Sequence, residues 1–508
     1  LNPTLTVRTL DGLRWNYLTA VFTVLFQVFF SAILARLISP TDYGIMAMAD
    51  IALRCFSHFA AFGIGAALVQ KPTLSDEDTS TAFLFSTFLG GIFAGMVYFA
   101  APFVLWAFPS PRIVPVLQAM GFSLLLNGLA AVPGGIILRR MDFRLLFFTS
   151  VGIYVICTLL TILLALRGFG VWSLVVGQLS QPALTALILI PYAFPKKRPT
   201  FSMESWKRLC SYGGPQSLIS FFEFVTGNID AFVVGRFFGA RQIGVYNRSS
   251  LLVFLPAQYF AATICRVLFP SFSEVQKEPE RLRRSFLAGI TMTGVVIVPL
   301  ALVMIVGAKE VILTLLGPAW IDGVPLLRIF AIAIPFGLQI QLSGVLCSAV
   351  ARLGTKIALR FGLIMFLVVT LAWSAQKGVV WVAASVAVGQ MLLLVAYQIV
   401  ISRFLEFRIR DFLKAEIPGI YIAIPVAMVF WAAKQLSGSI NVIVALLIAL
   451  GVTLPVYAWL VFVRPSSMLK SLWREILSRI GAEAPSWQIF LKKLFPWYTI
   501  EQEARGVR

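Results

Sequence analysis

Charge is scarce in this sequence, and histidine is nearly missing. Only 13% of the 508 residues are Asp, Glu, Lys or Arg, and His58 is the single histidine. Cysteine is rare: Cys55, Cys157, Cys210, Cys265 and Cys347 lie in or beside apolar runs, with no CxxC spacing. That pattern argues against a zinc site and structural disulfides. No GxxxxGK[ST] stretch occurs, so direct nucleotide drive is not expected. A membrane glycosyltransferase, polymerase or acyltransferase would need a base, nucleophile or metal group beside its substrate. This chain offers one imidazole and no large polar loop with paired acids. Period-two alternation is also lacking, which argues against a β-barrel.

What is present is apolar. The chain is 59% hydrophobic, with a mean hydropathy of +0.89. A chain of that balance would expose apolar surface everywhere in water, so its solvent is lipid. Runs of about 20 apolar residues recur, long enough to cross a ~30 Å hydrocarbon layer as helices. Apolar length predicts an all-α polytopic membrane protein with about fourteen transmembrane helices. The first span, residues 15–38, is too long for a signal-peptide core and is expected to remain as an anchor.

The net charge of +20 would suit nucleic acid, but the cations sit at span ends rather than in a basic domain. They read as topology signals and contacts to anionic lipid heads. One set of loops, with Arg139, Arg140, Lys196, Lys197, Arg283, Arg284, Arg352, Lys356, Arg360 and Arg403 among its members, holds about 22 cations. The other set, including Arg36, Arg112, Arg236 and Lys377, holds about 8. Positive-inside placement puts the first set and both termini in the cytoplasm.

One stretch occurs twice. Ala35-Arg36-Leu37-Ile38-Ser39-Pro40-Thr41-Asp42-Tyr43-Gly44 returns 200 positions later as Gly235-Arg236-Phe237-Phe238-Gly239-Ala240-Arg241-Gln242-Ile243-Gly244. Arg36 aligns with Arg236 and Gly44 with Gly244. The offset spans six helices, an even number, so the copies share one orientation. They are parallel repeats related by an axis along the membrane normal. The expected organisation is two six-helix lobes, 1–200 and 201–404, then two further transmembrane helices, 405–464. Residues 465–508 are expected to form a cytoplasmic amphipathic tail, in which Met468, Leu469, Leu472, Trp473 and Ile476 alternate with Lys470 and Arg474 at helical spacing.

A charge at mid-span costs roughly 2.5–3.5 kcal/mol, so it needs a cavity, a partner or a role. Asp50, Arg54 and His58 follow one helical face at i, i+4, i+8. Asp50 and Arg54 at that spacing can equally neutralise each other, and His58 can be an ordinary hydrogen-bonded core residue. Glu223, Asn228 and Asp230 share the seventh span, Arg248 and Arg266 the eighth, and Arg328 the tenth. A buried network of Glu223, Asp230 and Arg248 is the structural alternative there. Pro215, Pro256, Pro270, Pro299 and Pro335 interrupt spans, permitting bends that are either static or part of a rocking motion.

Several motifs in order resemble the polysaccharide transporters, or Wzx-type flippases, of the multidrug/oligosaccharidyl-lipid/polysaccharide (MOP) flippase superfamily. They are the 35–44 stretch, Arg139-Arg140-Met141-Asp142-Phe143-Arg144, Tyr246-Asn247-Arg248, Phe269-Pro270 with Ser273 and Gln276, and Leu315-Leu316-Gly317-Pro318-Ala319-Trp320. The resemblance covers most of residues 1–360 and implies fourteen helices in two lobes. It implies a transporter, not an enzyme, that carries undecaprenyl-diphosphate-linked oligosaccharide units from the cytoplasmic to the periplasmic leaflet of a bacterial inner membrane. Those units would serve lipopolysaccharide or exopolysaccharide synthesis, beside polymerase and chain-length proteins.

Such a substrate has an anionic head and a polar glycan, and crossing lipid bare would forfeit its hydration. Arginine suits the replacement, since its planar donors grip phosphate oxygens in pairs. The expected substrate-binding residues are Arg54, Arg248, Arg266 and Arg328, with His58; Gln258, Asn127, Gln339 and Gln341 would contact sugars. Glu223, Asp230 and Asp50 are the expected ion-coupling acids, for protons or sodium. No cofactor and no nucleic acid is expected. An exporter of drugs or small metabolites in the same superfamily is the rival function, and would favour an aromatic cavity with few cations.

Overall fold

The computed structural model describes residues 5–61, 75–140, 142–193, 202–437 and 441–474. Side chains there are described except at 5–17, 20, 21, 24, 58–61, 192–193, 204–223, 262, 263, 267 and 353. His58 and Glu223 therefore lie outside the described side chains.

Among the described residues every regular element is helical and no strand occurs. In lipid each backbone N–H and C=O must be satisfied within its own segment, which a helix achieves. The helices are α1 (Leu5–Leu37), α2 (Pro40–Ala61), α3 (Asp76–Ala100), α4 (Val104–Ala107), α5 (Ile113–Arg139), α6 (Phe143–Leu166), α7 (Val171–Ala193) and α8 (Met203–Glu274). There follow α9 (Pro279–Val306), α10 (Ala308–Leu315), α11 (Gly323–Ala349), α12 (Leu353–Ser374), α13 (Val379–Phe404), α14 (Ile409–Leu436) and α15 (Val442–Ala458).

Local sequence sets several boundaries. Ser75 and Asp78 form a reciprocal capping box at the start of α3. The Asp142 carboxylate accepts from Leu145 N at 3.0 Å and caps α6. Several hydroxyls inside spans bond along their own helices, as where Thr158 donates to the Tyr154 carbonyl at 2.7 Å.

Eleven helical segments among the described residues are long and apolar enough to cross a membrane. One of them, Phe224–Glu274, runs for 51 residues. At 1.5 Å per residue that is about 76 Å, more than twice a hydrocarbon core. It is broken at Gly239, whose φ of 80° and ψ of −177° leave the helical region. A residue with a Cβ is disfavoured there.

The chain divides into two compact units. Unit 1 comprises Leu1–Arg248, Leu315–Asp322 and Trp373–Val382; unit 2 comprises Ser249–Thr314, Gly323–Ala372 and Ala383–Arg508.

In unit 1, α5 packs against α2, α3 and α7, while α6 packs against α1 and α7. Small residues allow the closest approaches. Ser86 Oγ donates to the Gly128 carbonyl at 2.8 Å where α3 meets α5. The two copies of the repeated stretch also meet in this unit. A Cβ on Gly44 would overlap the Ala240 carbonyl, and one on Gly244 would fall 2.0 Å from the Pro40 carbonyl oxygen. Each copy further receives a turn. Trp320 donates its indole N–H to the Ala35 carbonyl at 2.9 Å and meets the Tyr43 ring edge-on. Arg236 donates to the Ala107 carbonyl at 3.4 Å, next to the Phe108–Phe232 ring contact.

In unit 2, α9 packs against α11 and α14, and α14 against α15. Gly419 of α14 lies against the Gly294 backbone of α9, and Thr291 Oγ1 donates to the Ala415 carbonyl at 3.0 Å. A buried cluster including Phe272, Phe286, Leu342, Leu346 and Tyr397 joins α8, α9, α11 and α13. Of the expected tail, residues 467–474 are described and helical. There Leu469 is fully buried, and Trp473 packs beside Phe462. This part of the apolar face is covered by protein; residues 475–508 lie outside the described residues.

Candidate functional site

Unit 2 contains a cleft of about 540 Å³ where α8 and α11 end and α12 begins. Helix α8 contributes Cys265, Arg266, Phe269 and Pro270. Helix α11 contributes Gln341, Gly344 and Ser348, and α12 contributes Lys356 and Arg360. Among the described residues the lining thus holds three cations and no carboxylate.

Its geometry follows from the helices. Lys356 and Arg360 stand one turn apart, so both present the same face of α12. Gly344 lies against this face: Lys356 Cε is 3.7 Å from where a Cβ on that glycine would lie, an ordinary contact distance. Behind this wall Tyr397 is fully buried within the aromatic and aliphatic cluster, giving the cations a fixed backing. Ser348 donates its hydroxyl to the Gly344 carbonyl at 2.9 Å, within its own helix. Close to the cleft, the Arg352 guanidinium lies 4.1 Å over the Phe404 ring. Cations arranged around a concave surface with an aromatic and an amide can hold a polyanionic head and the start of a polar chain.

The other expected residues occupy different places. Arg54 pairs with Asp50 at 2.7 Å, one turn apart on α2, and Gln178 donates to the second Asp50 oxygen at 3.3 Å. The Arg54 side chain is 58% exposed and that of Asp50 28%, so the pair is open on one side. Arg248 lies 3.8 Å over the Tyr43 ring and donates to Ser31 Oγ at 3.2 Å. Asp230 accepts from the Tyr246 hydroxyl at 2.6 Å. Asp230 and Arg248 thus have separate described partners instead of each other.

Arg328 is exposed near the start of α11, 16 residues or about 24 Å along the helix from Gly344. Gln258 is exposed on α8 two turns before Cys265, and Asn127 donates to the Ser123 carbonyl at 2.7 Å. Of the expected substrate contacts, Arg266 and Gln341 line the cleft, whereas Gln339 donates to Glu416. Sequence reasoning counted Lys356 and Arg360 only as loop charges. Their four-residue spacing at a helix start was the available signal. Glu416 was missed because it lies in the second turn of an otherwise ordinary span.

The family model described as polysaccharide biosynthesis protein matches residues 33–325, more than half of the chain. The chain is 26% identical over 339 residues to the succinoglycan biosynthesis transport protein ExoT of Rhizobium meliloti, covering 66% of this chain and 68% of that one. It is 20% identical over 437 residues to the lipopolysaccharide biosynthesis protein WzxC of Escherichia coli, covering 84% and 87%. Among solved structures, the lipid II flippase MurJ in an inward closed conformation superposes with a TM-score of 0.71 at 15% identity, covering 92% of this chain and all of that one. A multidrug resistance MATE family transporter in an inward-facing conformation gives 0.60 at 14% identity, covering 76% and 94%. These two likenesses concern the fold.

Proposed function

The chain belongs to the polysaccharide biosynthesis protein family of membrane transporters, and from that premise we propose that it flips an undecaprenyl-diphosphate-linked oligosaccharide across the bacterial inner membrane. The family assignment agrees with the Wzx-type resemblance of its motifs. The observation that carries the substrate class is the cleft of unit 2, with Arg266, Lys356 and Arg360 and no acid. A diphosphate entering membrane depth loses water, and charge-assisted hydrogen bonds replace part of it. Gln341 and Phe269 stand beside the cations, where the first sugar would follow.

On this reading the cleft opens on the cytoplasmic side, since it lies among the cation-rich helix ends. It is the loading end of an alternating-access cycle. Fourteen helices in two like-oriented lobes, with α14 and α15 outside the repeat, complete the proposed architecture. The expected coupling acids, Asp50, Asp230 and Glu223, belong to the same proposal, as do Arg54, Arg248, Arg328 and His58 as later contacts. The drug-exporter reading fits a cleft lined by three cations poorly.

The test is translocation of a lipid-linked oligosaccharide in proteoliposomes containing the full chain. Replacing Arg266, Lys356 and Arg360 together with alanine is expected to slow it at least tenfold, with normal insertion and thermal stability. Unchanged translocation by the triple variant would refute the assignment.

A further inference from the structure

The junction of α9, α11 and α14 contains a carboxylate that the proposed substrate cycle does not use. Glu416 accepts a hydrogen bond from the Gln339 side-chain amide, and Gln339 is itself only 3% exposed. The other carboxylate oxygen faces Gly294, 3.2 Å from where a Cβ would stand. The glycine is therefore what leaves space for this acid against α9.

Among the described residues, no cation forms an ion pair with it. On α9 the nearest preceding charge, Arg284, is ten residues before Gly294, about 15 Å along the helix. On α11 Arg328 is eleven residues before Gln339, about 16 Å. On α14 itself Lys414 is exposed and, two positions earlier, points to the opposite side. Helix α15 brings Tyr457, whose hydroxyl lies 3.5 Å from the Val295 carbonyl. Lys470 and Arg474 belong to the 467–474 helix, whose Leu469 reaches the same core as Val295 and Ile422. Among the described residues, the side-chain partner of Glu416 is Gln339.

We propose that Glu416, half-buried where α14 meets α9 and α11 in unit 2, is a proton-binding site. Ionised, it stands in an apolar junction with one amide donor and, among the described residues, no counter-charge; a proton removes that penalty and leaves the Gln339 bond in place. One carboxylate and one amide are too few oxygens for a cation such as Ca²⁺ or Mg²⁺, which takes six or more ligands. Occupancy has a mechanical consequence. Glu416 stands one turn from Gly419, at the closest approach of α14 to α9, and next to Ala415, which accepts from Thr291. Charging it disfavours that contact, and neutralising it favours it. The site thus gives the packing of α14 on α9 a dependence on proton activity. It needs no particular substrate, so it stands or falls apart from the cleft.

The experiment is carbodiimide labelling of the full chain in proteoliposomes without substrate, read by peptide mass spectrometry. A protonated carboxyl in an apolar setting adds across dicyclohexylcarbodiimide and rearranges to an N-acylurea with no leaving group. Labelling of the Glu416 peptide is expected in acidic buffer, falling as pH rises, and absent in Glu416→Gln. Gln339→Leu removes the amide donor and is expected to move the labelling midpoint, which a purely space-filling role for the pair would not do. Absence of label at every pH, or labelling that ignores pH or follows sodium instead, would overturn the proposal.

Discussion

Arg248 and Arg360 show how one residue type serves two purposes. Arg248 spreads its charge over the Tyr43 ring and gives a hydrogen bond to Ser31, tying the start of one repeated stretch's flank to another helix. Arg360 lines a concave surface beside Lys356 and Arg266. A sequence lists both as cations in or near spans, and only contacts separate them. Glycine follows the same logic. Gly244→Ala would drive a methyl group onto the Pro40 carbonyl, whereas Gly95→Ala meets nothing within 4 Å. The first is expected to destabilise the detergent-solubilised protein by about 1–3 kcal/mol, the usual cost of overpacking. The second is expected to leave it unchanged or slightly better. Thermal unfolding of both variants checks the contrast; equal behaviour would mean that the repeated stretches do not touch at their glycines.

At the scale of the element, α14 is held to unit 2 at both ends by different chemistry. Near its start the Gly419–Gly294 approach and the Thr291–Ala415 bond seat it on α9. Near its end Lys434 pairs with Glu310 at 3.0 Å and donates to the Val306 carbonyl at 3.2 Å. Both partners are largely covered, at 26% and 14% exposure, so removing one leaves a charge poorly solvated. Lys434→Met is expected to lower stability by about 2 kcal/mol, less than a fully buried pair because Lys434 keeps some water. Adding Glu310→Gln to it is expected to recover much of that loss. A double variant no more stable than the single one would show that the pair is not coupled. Hydropathy made the span itself legible. Its attachment was not, because Glu310 and Lys434 are 124 positions apart and each resembles an ordinary loop or span-end charge.

For the whole molecule, the charge asymmetry of the loops makes a directional forecast. In a background without native cysteines, a cysteine at Lys377 is expected to react with a membrane-impermeant maleimide added outside intact cells. One at Arg403 is expected to react only after permeabilisation. The reverse pattern would invert the proposed orientation and place the basic cleft on the outer face.

Length and apolar composition by themselves determined that this chain is a helical membrane protein, because lipid leaves the backbone few other ways to satisfy its hydrogen bonds. The ordered motifs also made the transporter family legible, and the two like stretches share a glycine, Gly44 and Gly244, where a Cβ would meet backbone. Tertiary structure alone decided that the two copies touch at Gly44 and Gly244, that Arg266 joins Lys356 and Arg360 in one cleft, and that Glu416 accepts a hydrogen bond from Gln339. Hydropathy is a sum along one segment and registers how deep a residue sits. Which side chains converge depends on helix rotation and crossing, set by packing between segments far apart in the chain.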